Sequence, residues 1–358
     1  MSTLLSAPDL DAAQELLHAS GCTDGLPVIV PTVDKVARMV LASGLDADIV
    51  LGDMGPAYGV ATVEKVAVAA VMAGCVPDVM PVVIAAVRAV CQSAFDLTEV
   101  QCTTHCIAPL VIVNGPARTD CGGFASGFGL MGPGHRANAT VGRALRLAMM
   151  NIGGARPGVS DMAIHGSPAK FTFCIAEDED ASPFPPLHTS FGYDAKDSVV
   201  TVVGVDSPHS TFFTGDADDP ASAEALLDTL AAVIASPGNN NSQLGGKSAV
   251  VVVLNPDHAE VLKRAQYDRT RIQQTLAARA VTPRELLIRL NPKMLVGREA
   301  MIPAVRKPAN IHVLVAGGPG LYSMVMPSWC AGPHGNIAVH EKVETSQFCE
   351  LPVHDEKH

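Results

Sequence analysis

The sequence has few aromatic residues and few charged ones. Aromatic side chains make up 4% of its 358 residues and charged side chains 17%, whereas 48% of the residues are hydrophobic. This composition is typical of a globular protein built mainly from aliphatic side chains. Because so little charge is available to cover the surface, we expect part of that surface to be buried in a homo-oligomer.

The sequence also lacks the patterns that are typical of a leader, a membrane span or a binding surface for nucleic acid. The first twenty residues show no basic stretch followed by an apolar one, and no apolar run reaches about eighteen residues, so we expect neither a leader nor a membrane span. The formal net charge of −11 argues against nucleic acid and anionic membranes as partners. Nine cysteines, an odd number without the spacing of a disulfide framework, favour reduced thiols and a cytoplasmic location.

Apolar runs that end in a turn containing proline occur four times. Continuous Val and Ile runs with helices between them are typical of parallel strands that are buried on both faces. The chain is also too long for one ordinary hydrophobic core. We therefore predict an α/β protein of two related lobes, each a mostly parallel sheet covered by helices, with a cleft between them where strands end at Gly-rich loops. The four runs are PLVIVNGP, AVVVVLNP, HVLVAGGP and the shorter LPVIVPT.

The predicted boundaries follow the turns between these segments. From His340 onward the sequence is polar, which predicts a frayed end. The predicted units are an N-terminal helix over 1–20, a lobe over 21–195 that carries the active site, a second lobe over 196–345 and a polar tail over 346–358.

The segment KFTFCIAE contains the first candidate catalytic group. Its aromatic and β-branched residues predict a strand over Phe171–Ala176, on which Lys170 and Cys174 share one face and Glu177 follows the end. A neighbouring ammonium favours the thiolate, which is the nucleophilic form of cysteine. The alternative is a half-buried strand whose cysteine is only a small apolar residue.

A second candidate thiol, Cys75, lies between two predicted helices. Gly74 ends the first helix, and Pro77 with Asp78 begins the next. The positive end of a helix dipole would lower the pKa of a thiol placed just before it. The alternative is a small residue in a tight corner between helices.

Cys102, His105 and Cys106 lie within five residues of each other. Zinc sites use Cys and His, but this C-x₂-H-C spacing has no second pair downstream, so we predict no bound metal. We expect His105 to transfer protons, because its ordinary pKa is near neutrality. A core or turn histidine, and a zinc enzyme that uses Cys102, His105 or Cys75, remain open alternatives.

A Gly-rich segment over 121–140 leads into a predicted helix over 138–151. Backbone N–H groups, the helix start and a nearby arginine would bind a carboxylate or a carbonyl oxygen; a flexible lid is the alternative. The spacing GxGxxG occurs here without a strand leading into it, so we predict no dinucleotide site. The predicted substrate-binding residues are Asn114, Gly132, Gly134, Arg136 and Asn138.

Several motifs together resemble a family of bacterial proteins grouped with the UGSC-motif (seleno)protein family. They are TDGLPVIVPT, VMAGCVPD, TTH, APLVIVNGP, ANATVGRALRL and KFTFCIAEDE, spread over roughly residues 20 to 190. The UGSC tetrapeptide is absent, and the family pattern does not include Cys22, Cys102, Cys106 or His135. The resemblance implies thiol or selenol chemistry at Cys75 or Cys174.

These observations predict a thiol-dependent hydrolase or lyase without a cofactor. Its substrate is a small polar molecule that reacts at a carbon bonded to nitrogen or sulfur. Cys174 or Cys75 is the nucleophile, Lys170 stabilises the thiolate, and His105 or Glu177 transfers protons. The alternatives are the zinc enzyme and a non-catalytic anion-binding protein or subunit.

Overall fold

The computed structural model describes residues 4–293, 297–329 and 331–344, and the predicted tail over 346–358 lies outside them. Helices and sheets are mixed along the chain, which confirms the α/β class. The helices are Leu10–Ala19 (α1), Val33–Ser43 (α2), Val63–Ala73 (α3), Met80–Cys91 (α4), Leu97–Cys102 (α5), Ala117–Asp120 (α6), Arg136–Asn151 (α7), Pro220–Ile234 (α8), Asn240–Gln243 (α9), Pro256–Arg264 (α10), Arg269–Arg279 (α11) and Arg284–Leu290 (α12). The strands are Val50–Met54 (β1), Gly59–Thr62 (β2), Ala108–Asn114 (β3), Cys174–Ala176 (β4), Val199–Val205 (β5), His209–Phe212 (β6), Val250–Leu254 (β7), Val281–Pro283 (β8), Met301–Pro303 (β9), Ile311–Val315 (β10), Tyr322–Pro327 (β11) and Val339–Lys342 (β12).

Local capping chemistry explains where several helices begin and end. The Thr62 side chain accepts a hydrogen bond from the Lys65 backbone at the start of α3, and Asn255 caps α10 in the same way. Gly44 and Gly74 end α2 and α3 in the left-handed conformation that glycine adopts most easily.

Two four-stranded sheets form the centre of the molecule. The first has the order β12-β5-β3-β4 and the second the order β10-β7-β11-β6. In each sheet one pair is parallel, β3 with β4 and β7 with β10, and the other two pairs are antiparallel. The two sheets therefore have the same pattern of strand directions.

The outermost antiparallel strand of each sheet directly follows, along the chain, a strand of the other sheet. After β5 the chain leaves the first sheet and forms β6 beside β11, and after β11 it leaves the second sheet and forms β12 beside β5. The two connections meet where Val205 bridges Ser328 and the Asp206 backbone N–H donates to the Pro327 carbonyl at 2.8 Å.

The described residues form three apolar clusters, which arrange these elements as helices, sheet, sheet and helices. One cluster packs α3, α4 and α7 against the first sheet, and another packs α8, α10 and α11 against the second. The third lies between the two sheets and includes Leu110 and Ile112 of β3, Val251 and Val253 of β7, and Leu314 of β10. The sheets are thus packed face to face.

Several predictions of the architecture are wrong. Only two of the eight strand pairings among the described residues are parallel. The prediction of mostly parallel sheets failed because a continuous apolar run indicates burial on both faces but does not indicate strand direction. Buried side chains fill the space between the two sheets. The boundary at residue 195 does not separate the sheets, since β5 and β12 belong to the first one. The segment LPVIVPT forms no strand, and His340 lies in β12.

Candidate functional site

The sequence-predicted catalytic residues lie at different ends of the first sheet. His105 and Lys170 precede β3 and β4, whereas Asn114 and Glu177 lie where these strands end. A seven-residue strand such as β3 spans about 20 Å. His105 and Glu177 therefore do not act on the same substrate atom.

Cys174 does not meet Lys170 in the way we predicted. Lys170 ends a short 3₁₀-helix over Pro168–Lys170, and the strand begins only at Cys174, so the two residues do not alternate along one strand face. The Lys170 ammonium instead contacts both carboxylate oxygens of Asp161 at 2.8 Å. Cys174 is buried, and burial raises the pKa of its thiol far above the ordinary value.

Cys75 is also buried, and its thiol is not activated. Its Sγ donates a hydrogen bond to the Thr140 carbonyl at 3.4 Å. Burial raises the pKa of Cys75 to about 12, which outweighs the opposing effects of the Thr140 side chain and of Arg136. The predicted lowering of the pKa is therefore wrong, because the loss of hydration destabilises the thiolate more than the neighbouring positive charge stabilises it. A charge on Cys75 would raise the pKa of Cys174 further, so the two thiols are near each other inside the core.

The carboxyl ends of β3 and β4 carry a buried polar network. Glu177 accepts hydrogen bonds from Asn114 Nδ2 at 2.5 Å and from the Leu187 backbone at 2.6 Å, and its other oxygen lies 3.3 Å from Arg269 Nη2. Burial raises the pKa of Glu177 to about 7 in spite of these donors. Because Arg269 lies on α11 and Glu177 follows β4, this ion pair ties the two sheets together.

Polar side chains of the Gly-rich segment form hydrogen bonds with backbone groups of the segment itself and of the end of α3. Asn138 is buried and bonds to Ala125 through both its amide oxygen and its amide nitrogen, and to the Leu130 carbonyl. Arg136 donates twice to the Gly74 carbonyl, at 3.1 and 2.9 Å. Gly132 and Gly134 both have positive φ, which fits a turn. Asn138 and Asn114 are thus structural anchors, and the contacts of Arg136 join this segment to the end of α3.

A narrow pocket lies at the other end of the sheet, beside the start of β3. It encloses about 270 Å³, part of which is open to solvent, and its wall includes two cationic side chains from separate elements. These are Arg146 of α7 and Lys170, and both contact Asp161, at 3.2 Å and 2.8 Å. All three side chains are at least nine-tenths buried, so this is a desolvated ionic cluster. The residues that line the pocket are Gln101, Ile107, Ala108, Pro109, Gly142, Leu145, Arg146, Met149, Ala169, Lys170 and Phe173.

A partly exposed thiol lies beside this cluster. Cys106 directly precedes Ile107 of the pocket wall, and a negative charge on Cys106 is one of the influences that raise the pKa of Lys170. Burial has the larger effect and lowers the pKa of Lys170 below its ordinary value, although Asp161 favours the charged form. The cation that we assigned to Cys174 therefore lies within electrostatic reach of Cys106 instead.

His105 and Asp206 form a polar pair next to the same thiol. His105 Nε2 lies 3.4 Å from Asp206 Oδ2, and its Nδ1 is buried without a partner among the described residues. Asp206 comes from the connection between β5 and β6. This end of the sheet therefore combines a thiol, a cation and an imidazole with a carboxylate partner.

Sequence reasoning missed Asp161, Arg146, Asp206 and the role of Cys106. One signal was present for Arg146, which lies in the apolar stretch of α7 between Leu145 and Leu147. A charged residue on a buried helix face requires a partner of opposite charge. No local pattern identifies Asp161 as that partner.

Within the described parts of the chain, no three His, Cys, Asp or Glu side chains converge in a way that would hold a metal ion. No single helix there is long and apolar enough to cross a membrane. Among the described residues, the helical segments Pro77–Cys91 and Ser93–Cys102 have the required length and composition only when they are taken together, and the pair is bent by 74°. Comparison with protein-family models, curated proteins and solved structures finds no match to this chain.

Proposed function

We propose that this protein is a thiol-dependent hydrolase or lyase that needs no cofactor and acts on a small polar molecule at a carbon bonded to nitrogen or sulfur. One observation carries the proposal: the partly exposed Cys106 lies within electrostatic reach of Lys170, which Asp161 holds beside the pocket. A nearby cation favours the thiolate form of a cysteine. Cys106 thus takes the role that we first assigned to Cys174 or Cys75.

Three groups carry the hydrolytic route. The Cys106 sulfur attacks the substrate carbon, the bond from that carbon to nitrogen or sulfur breaks, and the leaving atom takes a proton from His105. A water molecule then gives a proton to His105 and attacks the thioester, which releases the acid and the thiolate. Asp206, 3.4 Å from His105, stabilises the protonated imidazole that is present before the first step and is formed again in the second.

Turnover of candidate amides, nitriles and thioethers by two matched variants tests this assignment. Cys106→Ser removes the proposed nucleophile, and we expect it to abolish turnover with the fold intact. Cys102→Ser changes an exposed thiol four residues away and should retain activity. Iodoacetamide should label Cys106 well before the buried Cys75 and Cys174. Full activity in Cys106→Ser would refute the proposal. A trapped acyl-thioester would favour hydrolysis over elimination.

We also propose that the two halves are related and that the protein is a homo-oligomer. The equal strand patterns of the two sheets and the similar runs PLVIVNGP and AVVVVLNP support an ancient duplication. Superposition of β3, β4, β5 and β12 on β7, β10, β11 and β6 tests it, and strands that do not overlay would contradict it. Self-association is supported by residues 4–60, which contain 12 of the 22 large apolar side chains that are exposed in the described part of the chain.

A further inference from the structure

The charges at the pocket do not cancel while Cys106 is uncharged. Arg146 and Lys170 line it, and Asp161 contacts both, so two positive charges and one negative charge leave a net charge of +1. Arg143, also on α7, adds no surplus because it forms a two-bond ion pair with Asp24. A pocket with a single surplus positive charge attracts an anion.

Burial makes this surplus charge costly when the pocket is empty. Burial lowers the pKa of Arg146 and the pKa of Lys170, and the charge on Arg146 lowers the pKa of Lys170 further. Little water reaches these groups, so solvent compensates only part of their charge. A bound anion would supply the missing compensation.

The cluster also retains hydrogen-bond donors. A lysine ammonium has three N–H groups, and the bonds of Lys170 within the described residues use two of them, one for each oxygen of Asp161. Arg146 has five N–H groups, of which Nη2 bonds Asp161 and Nη1 bonds Gln101. Donors on both cations therefore remain for the oxygens of a ligand.

The lining and charge of the pocket narrow the class of anion. Apart from Gln101 and the two cations, the wall consists of apolar side chains and backbone, with Ile107, Leu145 and Phe173 among them. A surplus of one positive charge matches a monoanion better than a phosphate group, which carries nearly two negative charges at pH 7. A carboxylate on a short carbon chain fits both conditions.

We propose that Arg146 and Lys170 bind the carboxylate of a small monocarboxylate substrate, and that its reacting carbon lies toward Cys106. The position of the reacting carbon rests on the proposed function, whereas carboxylate binding does not. The substrate class therefore becomes short-chain acids that carry a carbon–nitrogen or carbon–sulfur bond.

Two alkylating reagents of similar size test the proposal. Iodoacetate carries a carboxylate and iodoacetamide is neutral, and with both the thiolate sulfur forms a bond to carbon as iodide leaves. At Cys106, the rate with iodoacetate is divided by the rate with iodoacetamide, and the result is divided by the same ratio for glutathione. This normalised ratio measures the preference of the pocket for an anion. We expect this ratio to decrease from Asp161→Asn to the wild type to Lys170→Met, by about tenfold for each unit of charge.

The matched control is Lys65→Met, which removes one positive charge from α3, where Lys65 Nζ contacts only the Val60 carbonyl among the described residues. This variant should keep the wild-type ratio. An equal ratio in the wild type, Lys65→Met and Lys170→Met would overturn the proposal, while a reactive Cys106 would leave the proposed function standing. If Asp161→Asn does not fold, the wild type and Lys170→Met decide the result.

If Cys106 reacts with neither reagent, the proposed function fails and calorimetry decides the remaining inference. Propionate is the probe and inorganic phosphate the comparison. Propionate binding that is lost in Lys170→Met but kept in Lys65→Met supports carboxylate recognition. No propionate binding to the wild type, or tighter binding of phosphate, overturns it.

Discussion

Replacement of Arg269 by methionine should destabilise the protein in a way that depends on pH. Arg269 is 8% exposed and lies 3.3 Å from Glu177, which is fully buried. Its guanidinium also donates to the carbonyls of Val313 at 2.9 Å and Pro186 at 3.4 Å. Methionine preserves much of the apolar contact but leaves the Glu177 carboxylate without its cation.

The magnitude follows from the charge state of Glu177. At pH 8 the carboxylate is mostly ionised, since its pKa is about 7, and removal of one partner of a buried ion pair costs about 3 to 5 kcal/mol. At pH 5.5 the carboxyl group is mostly protonated in the folded protein, so only the carbonyl hydrogen bonds are lost, at about 1 to 3 kcal/mol.

The direction of the pH effect follows from the raised pKa of Glu177. An acid whose pKa is higher in the folded state contributes its stability fully below its unfolded pKa of about 4.3, and this contribution is lost as pH rises through the folded pKa. In the wild type the loss is therefore nearly complete at pH 7 to 8. Because Arg269 lowers the pKa of Glu177, its removal raises that pKa further and extends the loss above pH 8.

Urea unfolding at pH 5.5 and pH 8, followed by the fluorescence of Trp329, measures both free energies of unfolding. Arg264→Met is the matched control, because Arg264 is half exposed beside Asp218 and Glu260 and should tolerate the change at either pH. The double variant Glu177→Gln, Arg269→Met should be more stable than Arg269→Met at pH 8, since no charge is left buried. Equal losses at both pH values, or an equal loss in Arg264→Met, would refute this reasoning.

Two further predictions concern acid stability and assembly. Burial lowers the pKa of His312 to about 3 and that of His340 to about 4. A base whose pKa is lowered in the folded state contributes its stability above about pH 6.5, and this contribution is lost as pH falls. The urea midpoint of His312→Leu should therefore decrease less than that of the wild type between pH 7 and pH 5. An equal decrease would show that other groups dominate. We expect light scattering at micromolar concentration to detect an oligomer that salt strengthens, because residues 4–60 contain eight acidic and two basic residues. A monomer at all salt concentrations would contradict this expectation.

The sequence predicts those elements whose ends depend on neighbouring residues. Thr62 and Asn255, residue types that favour the N-cap position, cap α3 and α10. A cap requires only a side chain and a backbone N–H two or three residues later, and both are visible in the sequence. The apolar runs of β3 and β7 are likewise found as strands.

The candidate site depends instead on contacts between distant residues. The prediction around Lys170 failed because a 3₁₀ turn after Pro168 ends the alternation expected of a strand, and because Asp161 competes for the ammonium. The thiol predictions failed because the helix layer buries Cys75 and Cys174. A nearby positive charge activates a thiol only where water or a partner can stabilise the thiolate, and burial depends on the whole fold.

The antiparallel pairing of β5 with β3 explains why the chemical groups meet at the amino end of β3, because Val205 at the end of β5 pairs with Ala108 at the start of β3. The connection from β5 to β6 brings Asp206 to His105, and it places Ser207 within 2.8 Å of Ser167, shortly before Lys170. The other connection supplies Ser328, whose hydroxyl donates to the Gly204 carbonyl and holds the end of β5. Because residue 206 directly follows Val205, it passes the start of β3 wherever the next strand lies. The position of β5 in the first sheet therefore crosses the predicted boundary at residue 195 and also brings Asp206 to His105, the residue before Cys106.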